Sequence, residues 1–455
     1  MKKGLHKIAA GSLAAAMVFT SATGCSSTSS NSQAASQQGT GSKAETKTLE
    51  VAAFEGGYGR NYFDKLVAAF EADNPGVKVT LDCSPKIDDV IQPRIVSGNP
   101  PDVLMSFGAT RIGQMANEGD LLDLTDIFNE PAPGKTDKLR DTIEDGLVDT
   151  VCTPKKDGKV YLAPTDEGAE GLYYNKTLFE KNGWKAPETW DEFFALGDKA
   201  KKMGTSLFTY QGMYPGYLEA MLMPAIASTA GTDGYKKILN YEEGAWKDAN
   251  VTKVLNVFSK IANEGYLMPG TVAMNHTQAQ TAFLQGKALF IPCGSWLANE
   301  MKDAVPKTGF SFGFIPTPTF NKSDKHYLFG SCGYNVVTAK TKNPDLAKKF
   351  IQFTYRDDMI KLLAQYNTSI MPVKGTIDKV KDVVPEAVYN TFKAYDNAGC
   401  LLPDWKATPT TSVKISDEIY NPISSVMNKK MTVDQWAGKI EKADAKLRQA
   451  ISNQK

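Results

Sequence analysis

Five segments that begin near residue 48 alternate between strand-like and helix-like patterns, and this alternation limits the possible folds more than any other feature of the chain. TLEVAAF is a short apolar strand, and NYFDKLVAAFEADNPG is an amphipathic helix that Asn74-Pro75-Gly76 ends. A strand from residue 77, a helix in IDDVIQPRIVSG and the apolar strand PDVLMSF follow. A βαβαβ order of this kind predicts an α/β fold with a parallel sheet covered by helices on both faces.

The carboxyl ends of the first and third strands are candidate binding positions, because ligands of open α/β sheets sit beyond the carboxyl ends of their strands. Glu55 and Tyr58 follow the first strand, and Phe107 ends the third. We expect these three side chains to contact a ligand. The alternatives are an ordinary strand-to-helix turn for Glu55 and Tyr58, and a buried strand-end aromatic for Phe107.

The amino terminus reads as an export signal. Lys2, Lys3 and Lys7 accompany an apolar run over residues 8–19, about twelve residues where a membrane-spanning helix needs roughly twenty. Small residues then lead to Cys25, and the segment resembles the bacterial lipoprotein signal, whose cysteine is acylated. Residues 1–24 are therefore predicted to be a signal peptide and Cys25 a lipidation site. A plain signal peptide with an incidental cysteine is the alternative.

Residues 25–46 are rich in Ser, Gly and Gln and contain no aromatic or large aliphatic side chain. Such a segment cannot bury enough apolar surface to offset the entropy of ordering, so we expect a flexible tether. Together with two-chain acylation, it would hold a globular body at the outer face of the cell membrane.

Composition excludes several classes of function. Lys and Arg number 52 against 51 Asp and Glu, so the chain has no electrostatic footprint for nucleic acid. After the predicted signal peptide only His276 and His326 remain, and the cysteines beyond Cys25 lack metal-binding spacing. We expect no metal and no cofactor. Five remaining cysteines leave at least one unpaired, and most are expected to be buried core residues.

Five motifs in order, EADNPGVKV, GNPPDVLM, GLYYNKTLFEKNGWKAPETWDEF, GKALFIPCGSWL and NPDLAKKFIQF, carry a resemblance over nearly the whole mature chain. The chain resembles family 1 extracellular solute-binding proteins of ABC importers, of the maltodextrin-binding type. FEGGYG and GLYYNK are most similar to carbohydrate binders of the N-acetylglucosamine or chitobiose subgroup.

The resemblance implies a two-lobed clamshell, each lobe a mainly parallel sheet with flanking helices, and several crossings between them. Lobe 1 would comprise residues 47–165 and 332–371, and lobe 2 residues 166–331 and 372–455. It also implies a monomer that captures a carbohydrate without chemistry and delivers it to the transmembrane subunits of a permease.

Aromatic side chains are the first candidates for ligand contact, because sugars present apolar C–H faces to stacking rings. Trp296 in PCGSWL stands where the family places a stacking aromatic, and Trp405 lies in the Pro-rich loop LLPDWKATP. Tyr214 is a further candidate, although the pattern does not decide which of Tyr210, Tyr214 and Tyr217 faces the cleft. For each ring, packing within a core is the alternative.

Polar candidates surround the expected first crossing. Asp166 and Glu167, with Glu170, form a tight acidic cluster whose carboxylates can accept bonds from sugar hydroxyls. Asn335 could supply an amide to the same hydroxyls. A hinge role or solvated charge is the alternative for the acids, and strand capping is the alternative for Asn335.

Other functions compete with sugar capture. Asp166 and Glu170 could serve as the paired carboxylates of a glycosidase. The same fold could instead bind a polyamine or peptide, with acids and aromatics surrounding a cation. A surface lipoprotein without a small-molecule ligand is the third alternative.

Overall fold

The computed structural model describes residues 46–145, 147–406, 408 and 411–453, and these belong to one compact unit that begins at Thr46. The predicted signal peptide, Cys25 and the tether up to residue 45 lie outside the described residues. Among the described residues, no helix combines the length and the apolar character needed to cross a membrane.

Nine strands form one mixed sheet in the described part of the chain. In chain order they are β1 Lys47–Phe54, β2 Val77–Ser84, β3 Val103–Gly108, β4 Ala163–Asn175, β5 Ser206–Phe208, β6 Ala288–Gly294, β7 Phe312–Ile315, β8 Tyr327–Val337 and β9 Gly399–Leu401. The main path runs β2-β1-β3-β8-β4-β6-β5, while β7 pairs with β4 and β9 with β8.

Eighteen α-helices accompany the sheet in the described residues. They are α1 Asn61–Asp73, α2 Ile87–Val96, α3 Ala109–Glu118, α4 Thr125–Asn129, α5 Leu139–Thr142, α6 Lys176–Lys181, α7 Trp190–Lys202, α8 Glu219–Leu239, α9 Ala249–Asn263, α10 His276–Leu284, α11 Leu297–Glu300, α12 Pro344–Thr354, α13 Asp357–Asn367, α14 Thr376–Val380, α15 Glu386–Lys393, α16 Ile415–Tyr420, α17 Ile423–Met427 and α18 Val433–Ser452.

The opening βαβαβ unit is confirmed, with β1 parallel to both β2 and β3. The expectation of mainly parallel sheets is too simple for the rest of the chain. Strand β4 runs antiparallel to β6, β7 and β8, and β3 runs antiparallel to β8. The chain re-enters the sheet through these long strands rather than through a strand–helix–strand crossover, so parallel pairing is not imposed there.

Helix α7 shows how local sequence sets an element. Its amino end carries a capping box, in which the Thr189 side chain accepts from the Glu192 backbone and the Glu192 carboxylate accepts from the Thr189 backbone. The inward face, including Phe193 and Leu196, is buried. The helix therefore begins at Trp190, because Thr189 is its cap.

Two large hydrophobic cores lie under the sheet. The first collects buried residues of 49–163 and 334–373, and the second collects those of 172–329 and 401–440. Strand β4 passes from one to the other: its first half pairs with β8, and its second half lies between β6 and β7. A smaller cluster joins Ala169 to apolar residues between 364 and 392. The lobe boundaries given above remain a prediction.

A buried acid in the last helix gives a testable consequence for stability. Asp444 of α18 is fully buried, and neither carboxylate oxygen has a hydrogen-bond partner among the described residues. Burial, and to a smaller extent the charge of Glu441, raises its pKa to about 7 against the opposing effects of Arg448 and Trp246. Stability linked to this group is fully present below the unfolded pKa and is lost as the pH rises through the folded pKa.

We expect Asp444→Asn to remove this loss, because the amide cannot ionise. The free energy of unfolding of the variant should exceed that of the parent by up to about 4 kcal/mol at pH 8, and the difference should shrink towards pH 4. Urea unfolding at both pH values measures it. The exposed Asp303→Asn is the control, and an Asp444→Asn difference that does not change with pH would contradict the assignment.

Candidate ligand-binding site

The indole of Trp296 lies close to the backbone at three glycines, Gly294, Gly168 and Gly57. Trp296 follows β6 by two residues, and a Cβ atom placed on Gly294 would stand 2.0 Å from the indole Cζ3 atom. A Cβ on Gly168 of the neighbouring strand β4 would stand 3.4 Å from the same atom, and one on Gly57 would stand 3.1 Å from Cδ1. Only residues without a Cβ allow the ring to lie this close to the backbone of β6.

Two tyrosines flank this indole from different parts of the chain. The Tyr58 ring meets it edge-on at 5.9 Å between centroids, and the Tyr217 ring lies at 6.3 Å. The Tyr58 hydroxyl lies 3.1 Å from the Ser295 hydroxyl, and Asn299 Nδ2 donates to the Tyr58 carbonyl at 3.2 Å. Residues before α1 therefore contact residues around the start of α11 directly.

A strained serine forms the polar wall beside the aromatic group. Ser106 has φ +60°, a conformation that non-glycine residues rarely adopt, and it lies where the register between β3 and β8 shifts. Its hydroxyl donates to Asp166 Oδ1 at 3.0 Å, and its backbone N–H donates to Asn335 Oδ1 at 3.2 Å. The register between β4 and β8 also shifts, between Pro164 and Glu167. Both irregularities bring polar side chains to one place.

Three carboxyl groups of β4 and one at the start of α8 have pKa values well above their ordinary range. Burial raises the pKa of Asp166, Glu167 and Glu170 to about 7 each, and Glu144 adds to the effect on Glu167. Burial, followed by the charge of Glu170, raises the pKa of Glu219 to about 8. The cause is the loss of solvation without a neighbouring cation.

The structure brings some predicted site residues together. Tyr58 contacts Trp296. The pKa of Tyr58 is raised, mainly by burial and in part by the negative charge of Asp166. Asn335 is fully buried and joins Asp166 only through Ser106. Glu167 is partly buried and accepts a weak bond from the Cys400 thiol at 3.6 Å.

Other predicted residues lie apart from this indole. Phe107 is 4% exposed and lies within the first core, which agrees with the alternative of a buried strand-end aromatic. Glu55 is partly buried at the end of β1. The Tyr214 ring, 49% exposed, contacts His276 at 5.6 Å. The Trp405 indole stacks on another ring, Tyr241, at 5.7 Å and 17° between planes. Ligand contact by these four residues remains a prediction.

The three tyrosines of TYQGMYPGYLEAML are separated by the fold. Tyr210 is fully buried and stacks on Phe208, whereas Tyr217, in the 3₁₀ turn Pro215–Leu218, is the one beside Trp296. The sequence pattern leaves Tyr217 open beside Tyr210 and Tyr214, and it does not single out Glu219. One feature of the sequence could have indicated both residues. Tyr217 and Glu219 are two residues apart, where a turn that begins with Pro215 and Gly216 leads into α8.

Gly168 and Gly171 have a packing role in β4. A Cβ on Gly168 would lie 2.7 Å from Ser331 Oγ, and one on Gly171 would lie 2.6 Å from the Ile315 carbonyl oxygen. The five described cysteines are all free, and Cys152 and Cys293 are buried.

Comparison with known proteins places this chain in a family. The model of the bacterial extracellular solute-binding protein family matches residues 56–360, and the chain belongs to that family. Its fold is the two-lobed α/β clamshell of such proteins. The chain is 30% identical over 380 residues to the diacetylchitobiose binding protein NgcE of Streptomyces coelicolor, a match that covers 81% of this chain and 80% of that protein.

Two further proteins are similar to this chain, one in sequence and one in structure. The maltooligosaccharide ABC transporter solute-binding lipoprotein of Streptococcus pneumoniae is 25% identical over 363 residues, which are 77% of this chain and 78% of that protein. The apo form of RafE from Streptococcus pneumoniae superposes with a TM-score of 0.70 at 21% identity, over 89% of this chain and 99% of that one, and so shares the fold.

The close contact between Gly294 and the Trp296 indole predicts what one added methyl group would do. Gly294→Ala should displace the Trp296 indole, because the new Cβ would overlap Cζ3. Acrylamide quenching of tryptophan fluorescence should therefore rise, and a second comparison with Trp296→Phe isolates the share of this indole.

Gly438→Ala is the matched control, since a Cβ at Gly438 has no neighbour within 4 Å. Circular dichroism reports whether each variant keeps its fold. Unchanged quenching in folded Gly294→Ala would show that the ring does not depend on this glycine.

Proposed function

We propose that this chain is the lipid-anchored substrate-binding protein of an ABC importer, and that it captures a carbohydrate, an oligosaccharide, between two lobes. Membership of the solute-binding family supports the proposal, as do relatives whose names specify diacetylchitobiose and maltooligosaccharide. The observation that carries it is the close approach of the Trp296 indole to the backbone at Gly294 and Gly168, between Tyr58 and Tyr217.

The chemistry of this group suits a hydroxylated ring. An indole face offers an apolar surface of the size of a pyranose, and its backing by backbone keeps the ring in one orientation. The Tyr58 ring lies beside the indole, and its hydroxyl lies near the carboxyl groups of Asp166 and Glu170, which can donate to or accept from the hydroxyls of a sugar. Asn335, Trp405 and Tyr214 belong to the wider site that we propose.

Capture would proceed by closure of lobe 1, residues 47–165 and 332–371, on lobe 2, residues 166–331 and 372–455. The contacts of Tyr58 with Ser295 and Asn299 join the two and would form on closure. A sugar that touches both lobes binds the closed form more tightly and shifts the population towards it.

Delivery follows without chemical change to the sugar. The closed monomer would dock on the transmembrane subunits of a permease at the outer face of the membrane, where acylated Cys25 and the tether of residues 25–46 hold it. ATP hydrolysis would belong to other subunits, because no GxxxxGK[ST] loop occurs in this sequence.

Replacing the stacking ring tests the assignment. Trp296→Ala should weaken oligosaccharide binding about tenfold or more, because the ring face is lost and the edge contacts remain. Isothermal calorimetry with a panel of chitooligosaccharides and maltodextrins measures the affinity, and chromatography of the same mixtures tests for product.

Trp184→Ala is the control, because Trp184 packs on Phe179 within the second core. Binding without product by the parent, with a loss confined to Trp296→Ala, is the expected result. Cleavage of the sugar, or an affinity that Trp296→Ala leaves unchanged, would refute the proposal as stated.

The anchor is tested separately. Cys25→Ser should abolish labelling by an alkyne analogue of palmitate in cells that express the protein, because it removes the sulfur that is acylated. Cys83→Ser should leave labelling intact. Equal labelling of both variants would show that the lipid is attached elsewhere.

A further inference from the structure

Two β-bulges flank strand β8 at nearly the same height. On the side of β3, two residues that include Ser106 stand opposite Asn335 alone. On the side of β4, two residues that include Asp166 stand opposite Gly333 alone. Because an extra residue re-aims the side chains of the bulged strand, Ser106 and Asp166 both leave the regular alternation where they border the same short stretch of β8.

The hydrogen bond between Ser106 and Asp166 crosses over β8. Strand β8 lies between β3 and β4, so the two residues belong to strands about 10 Å apart, yet Ser106 Oγ lies 3.0 Å from Asp166 Oδ1. Gly333 of β8 leaves the space for this crossing. A Cβ atom on Gly333 would stand 2.2 Å from Asp166 Oδ1 and 2.7 Å from its Cγ. Any side chain at this position would therefore occupy the place of the carboxylate.

The crossing lies on the sheet face that carries the Trp296 indole. Gly333 and Ser331 are two residues apart on β8, and positions with this spacing point to one face. The Asp166 carboxylate lies over the first of them, and the hydroxyl of the second lies 2.7 Å from a Cβ placed on Gly168. That same Cβ position is 3.4 Å from the Trp296 ring. Asp166 and the indole therefore share one face of the sheet.

The orientation of this carboxylate depends on Ser106. Among the described residues, Ser106 is the only other residue that hydrogen-bonds the Asp166 side chain, which stays partly exposed. Ser106 is itself fixed, because its backbone N–H donates to Asn335 Oδ1 at 3.2 Å. It holds φ +60°, where glycine would cost less. A strained non-glycine residue beside a binding site points to a use for its side chain.

We propose that Ser106 and Gly333 are positioning residues for sugar recognition. The Ser106 hydroxyl, in the space that Gly333 leaves free, holds Asp166 Oδ1 so that Asp166 Oδ2 accepts from a hydroxyl of the sugar that stacks on Trp296. Both residues act through Asp166 and not through contact with the sugar. The inference rests on the proposed function and adds two residues to the same site.

Calorimetry of the full-length protein in mild detergent tests the coupling, with the member of the chitooligosaccharide and maltodextrin panel that the parent binds most tightly. Ser106→Ala and Gly333→Ala should each weaken binding about tenfold, because the carboxylate loses its fixed orientation. In the background of Asp166→Ala, which removes the carboxylate, neither change should weaken binding further. Gly438→Ala should leave the affinity unchanged, since a Cβ there meets no atom within 4 Å.

Ser106→Gly separates positioning from folding. Glycine adopts φ +60° without strain, so this variant should unfold at a higher urea concentration than Ser106→Ala. It should nevertheless bind the sugar about tenfold more weakly than the parent, because the hydroxyl is absent. A Ser106→Gly variant that binds like the parent overturns the inference, because the backbone conformation would then suffice.

The remaining outcomes distinguish the inference from the proposed function. Losses that multiply when the substitutions are combined with Asp166→Ala, or an affinity that Asp166→Ala leaves unchanged, overturn the inference and leave carbohydrate capture standing. A parent protein that binds no sugar of the panel overturns both. If circular dichroism shows that Gly333→Ala does not fold, the comparison of Ser106→Ala with Ser106→Gly still decides.

Discussion

The site depends on the close approach of the Trp296 indole to the strands below it. A methyl group on Gly294 of β6 would overlap the indole, and one on Gly168 of the adjacent strand β4 would touch it at 3.4 Å. Because the ring is supported by backbone rather than by flexible side chains, its face is held in one orientation. A preorganised surface of this kind loses little conformational entropy when a ligand binds.

The same sheet supplies the polar part of the site through irregularity. Regular pairing would alternate side chains between the two faces, whereas the register shifts at Ser106 and near Asp166 place their oxygens 3.0 Å apart. The positive φ of Ser106 stores strain. Two departures from an ideal sheet therefore build the site. Glycines without side chains make room for the Trp296 indole, and the register shifts displace the side chains of Ser106 and Asp166 towards each other.

Sequence reasoning succeeded where short-range rules apply. The α1 helix and the first three strands could be predicted from periodicity and breakers. The role of Trp296, which the family resemblance implies, remains a prediction. Phe107 follows the same positional rule as Tyr58 but is buried in the first core. A position at a strand end does not reveal which face of the sheet a side chain occupies.

The sequence by itself determined the secondary-structure alternation of the first lobe, the export signal pattern and the charge balance, since each depends on neighbouring residues or on composition. Only the tertiary structure decided that β4 is antiparallel to its neighbours, that Tyr217 rather than Tyr210 lies beside the indole, and that Glu219 joins the acids of β4. These relations join residues that are far apart along the chain, and local pattern carries no information about which distant strands and turns will meet.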